Sequence, residues 1–349
     1  MKIGVAVSGT GGHIYPALSI AEFAKEKNDE IIFLCNNNVT TRKILANYDF
    51  DIVTLKISGW KNREIKSFVK ALFLLFFSFL KSIFFIKKYN LDLLICFGGY
   101  LSFPVGLAAK FSRKKLIIHE QNIYPGLVNK LLNRVADITA LGFGESAGYF
   151  KKNNTVFTGN PIRKEFYDVI PTAKKVVLIF GGSQGAHGIN SIMGKSLLYL
   201  KGEDVEFIHI TGSLDKNFVA AYYEDSYFSN KSIIYEYHDK IYELFNRTAL
   251  VISRAGASTI SEILTVGVPA ILIPYPYATE DHQLKNAKFL QGLGVAEIFR
   301  EEDIDIQVFV RTLKRMLGDQ KLIAHAKAVS LKFKENNFSE NLYNLCLQN

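Results

Sequence analysis

The chain has 349 residues, 48% hydrophobic and 21% charged, which is enough for two cores of ordinary domain size. Its three isolated cysteines argue against a disulfide framework or a cysteine-based metal site and favour a reducing compartment. The net charge of +9 predicts anionic partners, but without an Arg-rich arm, zinc-finger spacing or RNA-binding aromatic signature we expect no nucleic acid among them.

Short apolar runs alternate with glycine-rich turns and helical segments, which predicts parallel sheets. The predicted strands are 3–7, 31–34, 93–96, 116–118, 176–180, 207–211, 250–252 and 270–273. They form two sets, so we predict an α/β protein of two doubly wound domains, 1–160 and 161–331, facing a cleft that holds the ligand. We also expect a C-terminal helix at about 332–349 that returns to the first domain.

A glycine-rich turn, Ser8-Gly9-Thr10-Gly11-Gly12-His13, follows the first predicted strand and opens a helix. Glycines let the backbone approach a ligand, and a helix N-terminus offers N–H groups to negative charge. The turn does not fit a P-loop, because the Gly-x-x-x-x-Gly-Lys-Ser/Thr pattern is missing, nor a dinucleotide fingerprint, because Ile14 stands where the third glycine would be. His13 is open to two interpretations: a base that takes a proton from an attacking hydroxyl, or a structural histidine.

The segment 66–88 is rich in phenylalanine and has five lysines and no acidic residue. Its longest uncharged part, 71–80, is too short to span a bilayer, which takes roughly 20 residues. We expect a helix in the membrane interface, with lysines on anionic head groups. The alternative is a helix buried against a sheet. The predicted membrane contacts are Phe73, Phe76, Phe77, Phe79 and Lys81.

The second domain repeats the strand-turn-helix theme at 180–186 and again at 253–262. Glu262, about one turn into a helix, is placed to accept hydrogen bonds from ribose hydroxyls. Gln283 and Asn286 are three residues apart, so their amides share a helical face and can read sugar hydroxyls. No metal-ligand spacing is visible, so we expect a diphosphate held by such turns without a metal.

Seven co-linear motifs extend over nearly the whole chain. They are Gly9-Thr10-Gly11-Gly12-His13, Phe97-Gly98-Gly99-Tyr100-Leu101-Ser102-Phe103-Pro104, His119-Glu120-Gln121-Asn122 with Pro125-Gly126, Thr158-Gly159-Asn160-Pro161-Ile162-Arg163, Gly181-Gly182-Ser183-Gln184-Gly185-Ala186, Ser253-Arg254-Ala255-Gly256-Ala257, and Asp281-His282-Gln283 with Asn286-Ala287. This set closely resembles the MurG family of peptidoglycan UDP-GlcNAc transferases, in glycosyltransferase family 28.

The resemblance implies the GT-B fold, two Rossmann-like domains with the donor in the cleft. It implies inverting transfer of GlcNAc from UDP-GlcNAc to the C4 hydroxyl of MurNAc in undecaprenyl-pyrophosphoryl-MurNAc-peptide (lipid I), giving lipid II for cell-wall synthesis. No cofactor or essential metal is expected. The implied partners are UDP-GlcNAc, lipid I, an anionic membrane surface and other cell-wall synthesis proteins, and the implied location is the cytoplasmic face of the cell membrane, as a peripheral protein.

Site residues follow from the resemblance position by position. The implied donor contacts are Thr10, Gly11, Gly12, Asn122, Arg163, Ser183, the backbone of His238, Ala257, Ser258, Thr259, Ile260, Ser261, Glu262, Gln283 and Asn286. On the acceptor side it implies Tyr100, His119 and Asn122. His13 is our first candidate for the general base and Glu120 the second.

Two residues depart from the family pattern: Ser8 stands where many relatives have glycine, and His187 stands where arginine is common. Three other functions stay open at this point. They are another GT-B transferase with a lipid acceptor such as diacylglycerol, a non-catalytic UDP-sugar-binding subunit, and a hydrolytic epimerase.

Overall fold

The computed structural model describes residues 1–9, 11–57, 65–172, 175–182 and 184–348, without the side chains of 40, 65–68 and 70. The described residues form two compact units, Met1–Arg163 with Asn337–Asn349, and Lys164–Asn336. The sequence placed the corresponding boundaries after residues 160 and 331.

Strands and helices alternate along the chain. The strands are β1 (Lys2–Val7), β2 (Glu30–Asn36), β3 (Asp51–Leu55), β4 (Leu93–Cys96), β5 (Lys115–Glu120), β6 (Ile138–Leu141), β7 (Thr155–Phe157), β8 (Val176–Phe180), β9 (Glu206–Ile210), β10 (Ser232–Tyr235), β11 (Thr248–Ser253), β12 (Ala270–Leu272) and β13 (Ala296–Ile298). The α-helices are α1 (Gly11–Glu26), α2 (Val39–Leu45), α3 (Ile65–Lys88), α4 (Gly99–Phe111), α5 (Leu127–Leu132), α6 (His187–Ser196), α7 (Lys216–Glu224), α8 (Ile241–Phe245), α9 (Ala257–Val266), α10 (His282–Gly292), α11 (Ile306–Gly318), α12 (Gln320–Lys334) and α13 (Phe338–Leu347).

The sheet of the first unit is covered on both faces. Among described residues it is parallel and seven-stranded, in the order β3-β2-β1-β4-β5-β6-β7. Ile3, Val5 and Val7 lie in one apolar core with residues of α1 and α13, whereas Ala6 lies in a second core with residues of α4. Alternate side chains of β1 thus enter opposite cores, as expected for a sheet buried between two helical layers.

The second unit repeats this architecture. Its parallel sheet, six-stranded over the described residues, has the order β10-β9-β8-β11-β12-β13. Val177 and Ile179 of β8 lie in a core with residues of α6 and α11. The predicted α/β class with two doubly wound parallel sheets is confirmed.

Strand order reverses once in each sheet, and this locates the ligand crevices. In the first unit the chain runs outward from β1 through β2 to β3 and then returns to the other side of β1 as β4. In the second it runs from β8 through β9 to β10 and returns as β11. Doubly wound sheets bind ligands beyond the carboxyl ends of the strands at such a switch point. The expected ligand crevices therefore lie beyond β1 and β4 in the first unit and beyond β8 and β11 in the second.

The C-terminal helix differs in its bounds from the one predicted at 332–349. Residues 332–334 end α12, and a new helix begins at Phe338 because the Asn337 side chain caps it, accepting the Glu340 N–H at 3.1 Å. This helix, α13, packs on α1, and its residues Leu342 and Tyr343 join the core of the first unit.

Candidate functional site

Three turns meet at the carboxyl ends of β1, β4 and β5. A Cβ on Gly99 would lie 2.4 Å from the Ser8 Oγ, so the turn after β4 touches the turn after β1. The His13 ring lies beside Gly9 and Gly98, where added Cβ atoms would be 3.3 and 3.5 Å from it. Both glycines have left-handed backbone (φ +107° and +87°), which other residues rarely adopt, so the chain can close around this ring.

His13 is half-buried in the first turn of α1, where Gly11 is buried and Gly12 exposed. Its Nδ1 lies 2.8 Å from the Gln121 Oε1 at the end of β5. Thr10, the remaining predicted residue of this turn, lies outside the described residues.

A hydrogen-bonded chain continues from Gln121 into the core of the unit. The Gln121 Nε2 lies 2.9 Å from both the Nδ1 and the carbonyl oxygen of His119, and the His119 Nε2 lies 3.0 Å from the Gly159 oxygen. Burial lowers the pKa of His119 to about 4, so this imidazole is neutral at neutral pH. His119 is wholly buried, and Gln121 connects it to His13.

Glu120, the second base candidate, is buried, and its carboxylate accepts hydrogen bonds from residues that follow it in the chain. Oε1 accepts from the Asn122 N–H at 2.9 Å and from its side-chain amide at 3.3 Å. Oε2 accepts from the Gly126 N–H at 3.0 Å and from the Asn129 Nδ2 at 2.9 Å. Burial raises the pKa of Glu120, and these hydrogen bonds oppose the rise. The carboxylate therefore organises the loop after β5 and fixes Asn122 at the site.

The other predicted residues of the first unit divide into exposed and buried. Tyr100 is 63% exposed in the first turn of α4 and is available to a ligand. Arg163 is nearly buried, and its guanidinium stacks on the Tyr15 ring at 4.6 Å from the centroid. Since Tyr15 is in α1, this cation lies close to the first glycine-rich turn, and its predicted position near the donor diphosphate stays a prediction.

The glycine-rich turn after β8 lies against the end of β9. A Cβ on Gly185 would lie 2.2 Å from the Thr211 oxygen, and one on Gly212 would lie 2.5 Å from the Gln184 oxygen. Both positions need glycine, because their φ is positive and because a Cβ would collide with the facing backbone. The turn leads directly into α6, as an anion-binding turn should. Ser183, the predicted donor ligand in this turn, lies outside the described residues.

A second polar chain, which was not predicted from the sequence, lies beneath this turn. His187 Nδ1 lies 3.0 Å from the Asp215 Oδ2, to which Asn190 donates at 2.8 Å. The Asn190 Oδ1 lies 3.0 Å from the His209 Nε2, and burial lowers the pKa of His209 to about 3. Apart from the departure at His187, no local signal marks these residues, since their partners are 19 to 28 residues away in sequence.

Helix α9 presents its N-terminus beyond β11, with Gly256 as the N-cap. Ile260 is fully buried, and its N–H donates to the Gly256 carbonyl at 2.9 Å. The Ser261 hydroxyl donates to the Ala257 carbonyl at 3.1 Å. Ala257, Ser258 and Glu262 are buried, and Thr259 is half-buried. The run 257–262 therefore offers backbone N–H groups at its start, with Glu262 one turn farther along.

The amides predicted on α10 have separate surroundings. The Gln283 Oε1 accepts from the Tyr275 N–H at 2.9 Å, and Gln283 is half-buried. Asn286 is fully buried and donates to the Ala255 carbonyl at 3.1 Å, so it supports the loop before α9. Glu280 and Asp281, just before α10, both have positive φ (+55° and +52°), an uncommon conformation that sets how this helix begins.

His238 follows β10 and packs edge-on against the Tyr235 ring at 4.9 Å. Its buried Nδ1 has no hydrogen-bond partner among the described residues. Arg254, in the motif before α9, is buried: it donates to the carbonyls of Ile273 and Pro274 and pairs with Glu301 at 2.5 Å. The positive charge of Arg254 is thus paired with a carboxylate and carbonyl oxygens of the second unit.

Helix α3 has two faces. Phe73, Phe76 and Phe77 are 61%, 56% and 58% exposed, and Lys81 is exposed beside them. Ala71, Ser78, Ser82 and Ile86 are buried on the opposite face. Phe79 is half-buried, packing against Phe111 of α4 at 5.8 Å. No helix within the described residues has the length and apolar character needed to cross a membrane.

Across the parts of the chain that the structure describes, no three or more His, Cys, Asp or Glu side chains are grouped so that they could hold a metal ion.

Comparison with known proteins identifies the same two halves. The model described as the glycosyltransferase family 28 N-terminal domain matches residues 3–140, and that of the glycosyltransferase family 28 C-terminal domain matches residues 176–342. Among solved structures, the crystal structure of Acinetobacter baumannii MurG is similar, with a TM-score of 0.78 and 26% identity over 99% of this chain and 98% of that chain.

Curated relatives match over almost their whole length. A UDP-N-acetylglucosamine--N-acetylmuramyl-(pentapeptide) pyrophosphoryl-undecaprenol N-acetylglucosamine transferase of Caldanaerobacter subterraneus is 34% identical, covering 99% of each chain. A protein of the same name from Thermodesulfovibrio yellowstonii is 33% identical, covering 95% of this chain and 94% of the relative.

Proposed function

Because the chain belongs to glycosyltransferase family 28, we propose that it transfers N-acetylglucosamine from UDP-GlcNAc to the MurNAc residue of a lipid-linked acceptor, converting lipid I to lipid II. The observation that carries this assignment is the end-to-end match, at 34% identity, to a transferase named for that donor and acceptor. The resemblance predicted from the seven motifs is confirmed. The protein is a UDP-GlcNAc-dependent glycosyltransferase of peptidoglycan synthesis.

We assign the donor to the second unit. The turn after β8 and the N-terminus of α9 both follow strands at its switch point, and both offer backbone N–H groups suited to a diphosphate. Glu262, Gln283 and the backbone near His238 are assigned to the ribose, sugar and uracil of the donor. Asn286 is assigned an indirect part, since its amide supports the loop before α9.

The acceptor and the base are assigned to the first unit. The C4 hydroxyl of MurNAc attacks the anomeric carbon of GlcNAc from the face opposite UDP, the new C–O bond forms as the bond to the diphosphate breaks, and His13 takes the hydroxyl proton. One displacement gives inversion and a β-1,4 link. Tyr100 and Asn122 line this side, and Arg163, stacked on Tyr15, supplies positive charge near the first turn.

We also propose that α3 holds the protein on the cytoplasmic face of the cell membrane, where other cell-wall synthesis proteins work. The exposed phenylalanines and Lys81 form an amphipathic surface of the kind that lies in a bilayer interface. The protein would then bind its lipid-linked acceptor at the membrane surface, where that acceptor resides.

The test is transfer of labelled GlcNAc from UDP-GlcNAc to a short-chain lipid I analogue, beside diacylglycerol and a no-acceptor control, with EDTA present. We expect β-linked product with the lipid I analogue alone. Product only with diacylglycerol would indicate a glycolipid transferase, free sugar without acceptor would indicate a hydrolytic enzyme, and donor binding without turnover would indicate a binding subunit.

A further inference from the structure

We propose that Gln121 is a positioning residue that holds the His13 imidazole in the tautomer with the proton on Nδ1, which makes Nε2 the nitrogen that accepts the proton of the acceptor hydroxyl. This inference rests on the proposed role of His13 as the base. It names the reacting atom of that base and the residue that selects it.

The orientation of the Gln121 amide is fixed by a backbone oxygen. Its Nε2 lies 2.9 Å from the His119 carbonyl, an atom that can only accept a hydrogen bond. If the amide were reversed, its own oxygen would face that carbonyl oxygen, which is repulsive. The amide NH₂ therefore points to His119 and the amide oxygen, Oε1, points to His13.

The tautomers of both histidines follow from this orientation. The Gln121 NH₂ also lies 2.9 Å from the His119 Nδ1, which must accept, so the His119 proton is on Nε2 and is donated to the Gly159 carbonyl at 3.0 Å. The Gln121 Oε1 can only accept, so the His13 Nδ1, 2.8 Å away, must carry a proton. In the neutral His13 ring the lone pair is then on Nε2.

The far end of the chain is held by packing. Gly159 has a φ of +75°, and an added Cβ there would lie 2.1 Å from the Phe338 ring at the start of α13. The Asn341 side chain of α13 donates to the adjacent Thr158 carbonyl at 3.4 Å. The C-terminal helix thus keeps the Gly159 carbonyl directed at His119. Because Gln121 and His119 are 1% or less exposed, water does not compete for these hydrogen bonds.

The experiment is nitrogen-15 NMR of the histidine side chains in the full-length protein, with the His13 signals assigned by their loss in His13→Ala. We expect the wild-type protein to show the proton on Nδ1 for His13 and on Nε2 for His119. In Gln121→Leu, His13 should shift toward the Nε2–H tautomer, whereas Gln307→Leu, which removes an exposed glutamine, should leave it unchanged.

Turnover supplies the second readout. Gln121→Leu should lower kcat about tenfold, the ratio that one hydrogen bond typically controls, with an unchanged KM for UDP-GlcNAc. A wild-type His13 with its proton on Nε2 overturns the proposal, and this spectrum needs no variant to fold. An unchanged tautomer in folded Gln121→Leu overturns it as well. Full turnover in His13→Ala would instead remove the base assignment and leave the tautomer measurement standing.

Discussion

His13 and Glu120 both lie at the carboxyl ends of strands in the first unit, after β1 and at the end of β5, but their side chains have different surroundings. His13 is half-buried and its Nδ1 contacts the Gln121 Oε1, whereas Glu120 is buried and both of its oxygens accept hydrogen bonds from its own loop. A general base needs an atom within reach of the substrate proton. The lower burial of His13 supports its proposed role as the base, the contacts of Glu120 support a structural part, and the two proposals can be separated by substitution.

His13→Ala is expected to lower kcat by about 100-fold or more, the contribution that general bases usually make. The dissociation constant for UDP-GlcNAc should stay near the wild-type value, since we assign the donor to the second unit. Steady-state transfer and calorimetric titration of the donor measure the two quantities. His325→Ala, which removes an exposed histidine of the second unit, is the control. Turnover equal to wild type in His13→Ala would exclude this base.

Glu120→Gln is expected to affect stability more than turnover. The new NH₂ group would face N–H groups that now donate hydrogen bonds to a carboxylate oxygen. Two donors would then oppose each other, which should lower the free energy of unfolding by about 1–3 kcal/mol. Urea unfolding measures this loss, and transfer assayed well below the melting temperature should remain within tenfold of wild type. A 100-fold fall in kcat with unchanged stability would instead make Glu120 the base.

Residue types at the site could be predicted from sequence, but their exposure could not. Gln283 and Asn286 were correctly predicted to share one helix, α10. The side chain of Asn286 is nevertheless buried and donates to the carbonyl of Ala255, 31 residues away. Arg163 was predicted near the donor diphosphate, but its stacking on Tyr15 of the first unit was not foreseen. In both cases the deciding contact is with a residue distant in sequence, which local pattern does not reveal.

At the scale of elements, the predicted strands are those at the centres of the two sheets. β1 and β8 appear as continuous apolar runs because both of their faces are buried. β3, β7, β10 and β13, which lie at sheet edges, were not predicted, and neither was β6. Edge strands such as β10 are only partly buried, so their sequences mix polar and apolar residues and do not stand out.

Helix α3 could be predicted as an amphipathic element from its composition, while only the fold shows which phenylalanines are exposed. Phe79 belongs to the contact with α4, and the exposed phenylalanines are Phe73, Phe76, Phe77 and Phe84. A membrane test should therefore leave Phe79 in place, because its replacement would disturb the packing of α3 on α4.

Replacing Phe73, Phe76 and Phe77 together by Ser is expected to abolish co-sedimentation with phosphatidylglycerol vesicles. Each ring should lose about 1–2 kcal/mol of insertion free energy, while the circular dichroism spectrum stays unchanged because these rings are exposed. Leu198→Ser with Tyr199→Ser, which removes exposed apolar side chains of the second unit, is the matched control. Vesicle binding by the triple variant equal to that of the control would contradict the proposed membrane surface.

At the scale of the whole molecule, the two units share one structural feature near their glycine-rich turns, a buried histidine hydrogen-bonded to an amide side chain. Each has a buried neutral histidine with one ring nitrogen on an amide side chain: the His119 Nδ1 on Gln121, and the His209 Nε2 on Asn190. A buried hydrogen-bonded imidazole gives a turn a fixed polar support without a charge. The same support makes both units sensitive to acid, because protonation would place an uncompensated charge in each core.

Lowering the pH from 7 to 5 is therefore expected to destabilise the protein by about 2 kcal/mol for each of these histidines. Burial holds their folded-state pKa values near 4 and 3, below the ordinary 6.5. The unfolded chain thus binds more protons below pH 6.5, and each histidine costs about 1.4 kcal/mol per pH unit until its folded pKa is reached. Urea midpoints across this range measure the slope. His209→Phe should flatten it for the second unit even if overall stability falls, whereas His325→Phe, which removes an exposed histidine, should not. An equally steep slope in His209→Phe would mean that other groups control acid unfolding.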